Sequence, residues 1–384
     1  MIKNRSIIIG VVAGEVSGDI LGSGLIQSLK KYLKKVYFCG VGGSRMRSEN
    51  MECWYDITEL SVMGITEVIL KLPNLLKIRR NLINRFSILK PDIFIGIDFP
   101  DFNIFLEKQL KKKGIATIHY VSPSIWAWRF NRIFSIKKAV DSVLVLFPFE
   151  KKIYDRFNIP CWCVGHSLAD QIPLNPDKIA IRQKLGIDKN IRCLAILPGS
   201  RLKEIKMLSY IFLQCVLLLK KSISNLEVIV PLYHQELINK FIELTSPIGV
   251  TLKVLNTQKS WEVMAAADVS LLASGTATLE CMLSKCPMVV AYRLNFITYM
   301  LIKKLIKVPW ISLPNLLSGY NLVPEYIQKE CNPINLSKAL LSILNDSKSH
   351  QTELQEKFCE LHQSIKLNAN EQATRVILKF LRVK

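Results

Sequence analysis

SIIIGVV (residues 6–12) runs straight into AGEVSGD (residues 13–19), and the reading of that junction decides the fold. A short, near-continuous apolar run that stops at a glycine-bearing polar loop is a buried strand leaving a sheet. The residues behind it, through about Lys35, carry a helical pattern. The same unit recurs along the chain. Residues 36–40 end in Val41-Gly42-Gly43, and residues 93–97 end in Asp98-Phe99-Pro100-Asp101 ahead of a helix that closes on Lys111-Lys112-Lys113-Gly114. Residues 116–121 and 142–146 continue it. Apolar strands without polar alternation, separated by amphipathic helices, imply a parallel sheet covered on both faces.

The pattern lapses at IPLNPD (residues 172–177), a proline-bearing linker candidate, and then restarts. Residues 193–197 lead into Pro198-Gly199-Ser200-Arg201, 227–230 into Pro231-Leu232, 251–255 into Asn256 and 269–273 into Ser274-Gly275-Thr276. The expected fold class is therefore α/β, with two Rossmann-like doubly wound domains facing a cleft. Residues 1–172 form the first domain and 173–345 the second, and a helical segment, 346–384, is expected to pack back on the first. A length of 384 residues suits two domains. Ligands of such sheets bind beyond the carboxyl ends of the strands, so the loops after strands are where chemistry belongs.

Composition narrows the class further. With 49% hydrophobic and 22% charged residues the chain is globular, not disordered, fibrous or a disulfide-stapled mini-protein. Its formal net charge is +21, from 52 Lys and Arg against 31 Asp and Glu. That surplus fits a nucleic-acid binder, a protein on an anionic membrane or an enzyme for phosphorylated substrates; a nucleotide-composition bias towards Lys, Ile and Asn is the plain alternative. The ten cysteines follow no repeated short spacing, which suits a reducing compartment. Cys161, Cys163 and His166 lack the second knuckle of a structural zinc site, so buried thiols and a loop histidine are expected, with no metal. The apolar run near the N-terminus is too short for a leader and reads as the first strand. No run of 18 apolar residues spans a membrane; the nearest, 296–317, is broken by Lys303, Lys304 and Lys307.

Four loops carry candidate chemistry. In AGEVSGD two glycines flank Ser17 after a strand, open to an oxygen-rich ligand or simply a turn capped by Ser17 or Asp19. Asp98 stands where a buried strand emerges, and partial burial there would raise its pKa towards that of a useful general base. Asp101, at the start of the next helix, reads first as a helix cap. Gly199, Ser200 and Arg201 at a helix N-terminus make an anion site in which Arg201 pairs with a diphosphate, or else a capped helix with an exposed arginine. Ser274-Gly275-Thr276-Ala277-Thr278 is a second phosphate-type loop, and Glu280 behind it suits a ribose diol. Two anion loops on one domain and a carboxylate on the other describe group transfer from a nucleotide-diphosphate donor.

These stretches together resemble the lipid-A-disaccharide synthase family. The resemblance rests on AGEVSGD (13–19), GVGGSRM (40–46), SVMG (61–64), GIDFPDF (96–102), HYVSPSIWAW (119–128), LPGSR (197–201), SGTATLE (274–280) and LPNLL (313–317), in the family's order. Ser44 departs from the proline of the family's pattern, which touches the rigidity of that turn. Beyond about residue 335 no motif matches. The resemblance implies a GT-B glycosyltransferase, peripheral on the cytoplasmic face of the inner membrane, that needs neither metal nor cofactor. Its partners would be a UDP-activated acylated sugar donor, UDP-2,3-diacylglucosamine, and a phosphorylated glycolipid acceptor, 2,3-diacylglucosamine 1-phosphate. Inverting transfer would yield the β(1→6) disaccharide 1-phosphate and UDP. Asp98 would deprotonate the acceptor 6-hydroxyl, Arg201 and residues 274–278 would hold the departing UDP, and Glu280 would hold its ribose. Asn315 would line the nucleotide pocket or serve as a buried amide, and Glu15, Ser17, Gly18 and Asp101 would border the acceptor. A homodimer stays open.

An acylated substrate calls for a docking surface. Ile65, Val68, Ile69, Leu72, Leu75 and Leu76 recur at helical spacing, and Lys77, Arg79, Arg80 and Arg85 follow with no acid between Lys71 and Lys90. An apolar face with a basic flank suits an anionic membrane surface; an ordinary core helix with a solvated basic side is the other reading. Residues 296–310 are a second such stretch. Another GT-B UDP-sugar transferase acting on a membrane lipid remains an alternative. Nucleic acid is not expected, because the basic residues accompany apolar faces and no stacking platform.

Overall fold

The structure, a computed structural model, describes residues 6–60, 65–295, 298–300 and 305–382, the side chains of 65–70 and 382 excepted. It divides into two compact units, Met1–Ser167 with Ile365–Lys384, and Leu168–Ser364.

The first unit holds a seven-stranded sheet of β1 (Ile7–Ala13), β2 (Val36–Gly42), β3 (Glu52–Asp56), β4 (Ile93–Ile97), β5 (Ala116–Tyr120), β6 (Ser142–Val145) and β7 (Cys161–Cys163). Its order is β3-β2-β1-β4-β5-β6-β7, and every pairing is parallel. β4 is buried along its length and β1 from Ile9 onward because helices cover both faces. On one face Phe86, Leu82 and Ile78 pack with Phe94, Phe102 and Leu106. The strand order reverses between β1 and β4.

The second unit repeats the plan with six strands: β8 (Arg192–Leu197), β9 (Leu226–Leu232), β10 (Lys253–Asn256), β11 (Val269–Ala273), β12 (Met288–Tyr292) and β13 (Glu325–Ile327). They run parallel in the order β10-β9-β8-β11-β12-β13. The reversal here lies between β8 and β11. Ligand crevices of doubly wound sheets open at such reversals, so the topology nominates the loops after β1, β4, β8 and β11. Those are the loops that carry Glu15, Asp98, Arg201 and Ser274.

Two segments sit differently from expectation. The first unit ends at Ser167, not at 172, because the helix Ser167–Gln171 is tied to the second unit: His362 Nε2 donates to Ala169 O at 2.8 Å, and Lys285 Nζ donates to His362 Nδ1 at 2.7 Å. The segment 346–384 is likewise divided. The helix Lys348–Ile365 lies almost wholly in the second unit, and only Ala369–Arg382 packs in the first, where Thr374 Oγ1 donates to Ser28 Oγ at 2.8 Å. All ten cysteines are free. Among the described residues no helix is long and apolar enough to cross a membrane, and no three His, Cys, Asp or Glu side chains gather as metal ligands.

Candidate active site

At the reversal of the first sheet the loops after β1 and β4 interlock. A Cβ built on Gly14 would stand 2.4 Å from the ring of Phe99, so glycine is what lets that ring close over the end of β1. Asp98 and Phe99 both adopt left-handed backbone, with φ of 51° and 47°. Two consecutive non-glycine residues in that region cost energy and persist only where their surroundings over-determine them. Here they do. The Asp98 amide donates to Tyr120 O at 2.8 Å, and the Phe102 and Asn103 amides donate to Phe99 O. Asn103 Nδ2 reaches Asp98 O at 2.8 Å, Val12 O at 3.2 Å and Ile97 O at 3.3 Å.

The turn thus places the Asp98 carboxylate through its backbone. The side chain is half-buried and accepts no hydrogen bond from the described residues. A carboxylate fixed in position with its lone pairs unspent can take a proton from a hydroxyl brought to it.

The neighbouring candidates separate into surface and support. Glu15 and Ser17 are exposed at the same loop edge, whereas Gly18 is buried against Ala13 and Ile97 and serves packing. Asp19 does not cap its own helix. Buried, it accepts from the amides of Gly43 (2.7 Å), Arg45 (3.0 Å) and Met46 (3.1 Å), and so joins AGEVSGD to GVGGSRM. Ser44 opens the short helix Ser44–Ser48 as an exposed first residue, a position that tolerates proline or serine alike. Asp101 is not a cap either. Phe99 holds the N-cap position, and the Asp101 carboxylate, 72% exposed, pairs with Arg132 and lies 3.7 Å from Arg129.

In the second unit the two candidate loops are neighbours because β8 and β11 are adjacent. Gly199 has φ +129°, and a Cβ there would meet Glu204 Cβ at 2.4 Å. That close approach brings Glu204 Oε2 to the amides of Ser200 (2.9 Å) and Arg201 (3.3 Å), a carboxylate closing the N-terminus of the helix Leu202–Ser222. The cradle expected for an anion is therefore filled by the protein's own acid. The Arg201 side chain is 77% exposed and 3.4 Å from Glu204 Oε1, so it projects into solvent as a positive charge at this edge.

After β11, Gly275 and Thr276 are exposed, and a Cβ on Gly275 would meet nothing within 4 Å, which leaves open room over the loop. Ala277 is half-buried. Ser274 Oγ donates to Ile311 O at 2.7 Å, and buried Thr278 donates to Gly275 O at 2.8 Å while accepting from the Leu313 amide at 3.2 Å. Thr278 is thus a strut rather than an offered hydroxyl. Glu280 accepts from Ser260 Oγ; burial pushes its carboxyl up, and Ser260 partly offsets that. Asn315 is buried with its amide fully engaged: Oδ1 accepts from the Leu322 and Val323 amides (both 2.8 Å), and Nδ2 donates to Val323 O (2.9 Å) and Glu325 Oε1 (2.8 Å). It shapes the segment behind the loop and presents no amide edge towards a ligand.

Sequence reading missed several supporting residues. Glu204 sits three positions after Arg201, the capping-box spacing, and was visible in principle. Ser260, Tyr292 and Glu325 had no local signal; Tyr292 is raised by burial, with Glu204 adding to the rise and Arg201 opposing it, which puts that phenol beside the anion loop. Asn103 and Glu107 interrupt an apolar helical stripe with polar residues four apart, a signal that went unused.

The docking helix needs a correction. Ile65–Leu89 is a helix with Pro73 inside, but Leu75 is only 8% exposed and belongs to the core with Ile78 and Leu82. Leu72 and Leu76 are exposed, as are Lys77 and Arg80. Arg79 lies over the exposed Phe105 ring, 4.1 Å from its centroid. The Val68 and Ile69 side chains, SVMG and part of 296–310 lie outside the described residues.

A family model described as lipid-A-disaccharide synthetase matches residues 9–377. The chain belongs to this family. It is 64% identical to the lipid-A-disaccharide synthase of Blochmanniella floridana, over 99% of both chains. Identity to that of Pectobacterium atrosepticum is 51%, over 98% of this chain and 99% of the relative. Solved structures share the fold at low identity. UDP-GlcNAc 2-epimerase from Neisseria meningitidis bound to UDP-GlcNAc aligns with TM-score 0.64 at 13% identity, over 99% of this chain and 100% of that one. The glycotransferase of kitacinnamycin aligns with TM-score 0.59 at 14%, over 98% and 100%. As a lipid-A-disaccharide synthetase family member the chain is a glycosyltransferase of lipid A biosynthesis, with the two-unit GT-B architecture.

Proposed function

We infer that the chain condenses UDP-2,3-diacylglucosamine with 2,3-diacylglucosamine 1-phosphate by inverting transfer. The Asp98 carboxylate accepts the proton of the acceptor 6-hydroxyl as that oxygen attacks the anomeric carbon of the donor. The bond from that carbon to the diphosphate oxygen breaks, and UDP departs with the electron pair. Arg201 and the exposed part of residues 274–277 meet the developing charge, and preorganised donors of this kind are worth about 2.7–4 kcal/mol each. Glu280 takes the ribose hydroxyls, while Thr278 and Asn315 hold the loop that presents them. Glu15, Ser17 and Asp101 border the acceptor.

The observation that carries this reading is the Asp98 turn: a strained, over-determined backbone that presents a carboxylate on which no described residue spends a hydrogen bond, at the reversal of the sheet. The test is incubation with both monosaccharide lipids and chromatographic detection of disaccharide and UDP. Product from UDP-GlcNAc in place of the diacylated donor would move the assignment to another UDP-sugar transferase.

The acyl chains call for docking on the anionic cytoplasmic face of a membrane, and Leu72, Leu76 and Phe105, with Lys77, Arg79 and Arg80 around them, are the surface that supports it. Leu72→Glu with Leu76→Glu should abolish salt-sensitive binding to anionic liposomes without loss of fold, since both side chains are exposed. Unchanged binding would remove this surface from the account.

A further inference from the structure

Behind the Asp98 turn lies a pair of ionisable side chains with no solvent exposure. Glu107 Oε1 stands 2.7 Å from His119 Nδ1, and both side chains are completely buried. Glu107 projects from the inner face of the helix Pro100–Lys112, one turn beyond Asn103. His119 is on β5, directly across the ladder from Gly96 of β4. Gly96 makes room for the pair: a Cβ there would fall 2.2 Å from Glu107 Oε1.

Such a pair is a poor way to stabilise a fold. Removing two charges from water costs several kcal/mol that a single contact rarely returns, and an apolar pair of equal volume is often as stable or more so. Glu107 Oε2, His119 Nε2 and Asn103 Oδ1 are moreover buried without a hydrogen-bond partner among the described residues. Buried polar groups of this kind ask for a reason beyond packing.

The reason lies in what the pair faces. Asn103 grips the carbonyls of Val12, Ile97 and Asp98, and the Asp98 amide is anchored on Tyr120, the residue after His119. The helix face that carries Asn103 and Glu107 therefore meets both strands that carry the turn. Electrostatics points the same way. Burial opposes a charge on His119, but Glu107 foremost and then Asp98 favour it, so its proton affinity is raised; Arg132, on the helix Arg132–Ala139, opposes the charge. Burial raises Glu107, against the pull of His119. On the helix Pro148–Arg156, Tyr154 feels Glu107, and Glu150 lies beside it.

We propose that Glu107 and His119 are positioning residues for Asp98: a buried pair that shares one proton and sets a positive imidazole edge behind the turn that carries the base. Neither touches substrate. The pair fixes the backbone and the field behind the turn, so that the Asp98 carboxylate meets the acceptor in one orientation. This rests on the reading of Asp98 as the base.

The test uses the full chain with both monosaccharide lipids in mixed micelles. Glu107→Gln and His119→Gln should each lower kcat by roughly 10- to 100-fold, the scale of a misplaced reacting group, with the donor KM unchanged. The pH profile of kcat should change with each substitution, because a neutral ring removes the positive neighbour behind the turn. The double variant should be no worse than the weaker single one, since the residues act as a unit. A loss that follows a lowered melting temperature, with the pH profile in place, would overturn the proposal.

A second measurement does not depend on the variants folding or on turnover. The chain has five histidines, so histidine-labelled protein gives a short spectrum. His119 should hold its proton above the ordinary histidine range, and its ring resonances should respond to Asp98→Asn but not to Arg201→Ala. Indifference to Asp98→Asn would refute the coupling. Should the wild-type chain form no disaccharide, the assigned reaction fails, and the spectrum still decides whether the pair serves Asp98.

Discussion

The two sheet reversals are built on opposite principles. In the first unit acids go deep: Asp19, Glu107 and Glu150 are each less than 5% exposed, and among the described residues no acid of the second unit, Glu280 included, is buried to that degree. Beneath Asp98 lie a buried ionisable pair and a strained backbone turn. In the second unit the loops seal themselves: Glu204 closes its own helix, Thr278 closes Gly275, and Arg201 is left at the surface. A reacting group has to be placed to within a fraction of an ångström before the ligand comes. A diphosphate brings its own charge and needs mainly a cation free to meet it. On the proposed reading, the contrast is that between a group that does chemistry and a surface that holds a leaving group.

The hardest blow to this contrast would be a tolerant Asp98. Asp98→Asn keeps a side chain suited to left-handed backbone, so the turn should survive and the melting temperature should hold within a degree or two. Turnover should fall by about 100- to 10,000-fold, the usual contribution of a positioned base. A near-normal rate in a folded variant would end the assignment.

Arg201→Ala comes next. The side chain is mostly exposed and its one ion pair is long, so stability should not change. Loss of charge on the leaving-group side should cost about 100- to 1,000-fold in kcat, with a rise in donor KM. If Arg201→Ala proved as damaging as Asp98→Asn while leaving donor KM untouched, the division of labour between the edges would need redrawing.

The repeated strand-loop-helix unit was readable because these strands are buried on both faces and so carry unbroken apolar runs, each ending at a marked loop. The four loops were readable for the same reason: their residues stand where such runs stop. What escaped was non-local. Asp101 reads as a cap until Arg132, from another helix, takes its carboxylate. Leu75 and Leu76 share one helical stripe in the sequence, and only the packing of Ile78 and Leu82 says that Leu75 faces inward. Asp19 serves a loop that follows β2, and Glu107 finds His119 only once helix and sheet have met. Periodicity reports how far a residue lies from its neighbours along the chain, and these roles depend on distances through space.

A smaller effect tests the cost of the buried acids. Glu150 Oε2 accepts from the Leu146 and Phe147 amides and Oε1 from Trp126, yet burial outweighs these bonds and pushes the carboxyl up to about 7. Between the ordinary glutamate range and that value, the folded chain holds a proton that the unfolded chain has released. Stability therefore falls as pH rises through this window and levels off above it, at a slope of at most about 1.4 kcal/mol per pH unit. Glu150→Gln removes the titration. The wild-type-minus-variant difference in urea unfolding free energy should decline from pH 5 to 7 and then stay flat; a difference independent of pH would mean that Glu150 is ionised throughout.

The finest probe concerns the self-sealed loop of the second unit. Glu204 occupies the Ser200 and Arg201 amides and also draws on the Arg201 guanidinium. A donor diphosphate that used those groups would have to compete with this carboxylate. Glu204→Gln keeps an oxygen for the amides but removes the charge that favours the helix N-terminus, a loss of about 0.3–1 kcal/mol in stability. The same change releases Arg201, so donor KM should fall by about two- to threefold, which is what an ion pair worth about 0.5 kcal/mol allows. The acceptor KM should not move, because the carboxylate proposed to serve the acceptor is in the other unit. A rise in donor KM would mean instead that Glu204 holds Arg201 in its working pose, and the second edge would then be preorganised by an acid much as the first one is.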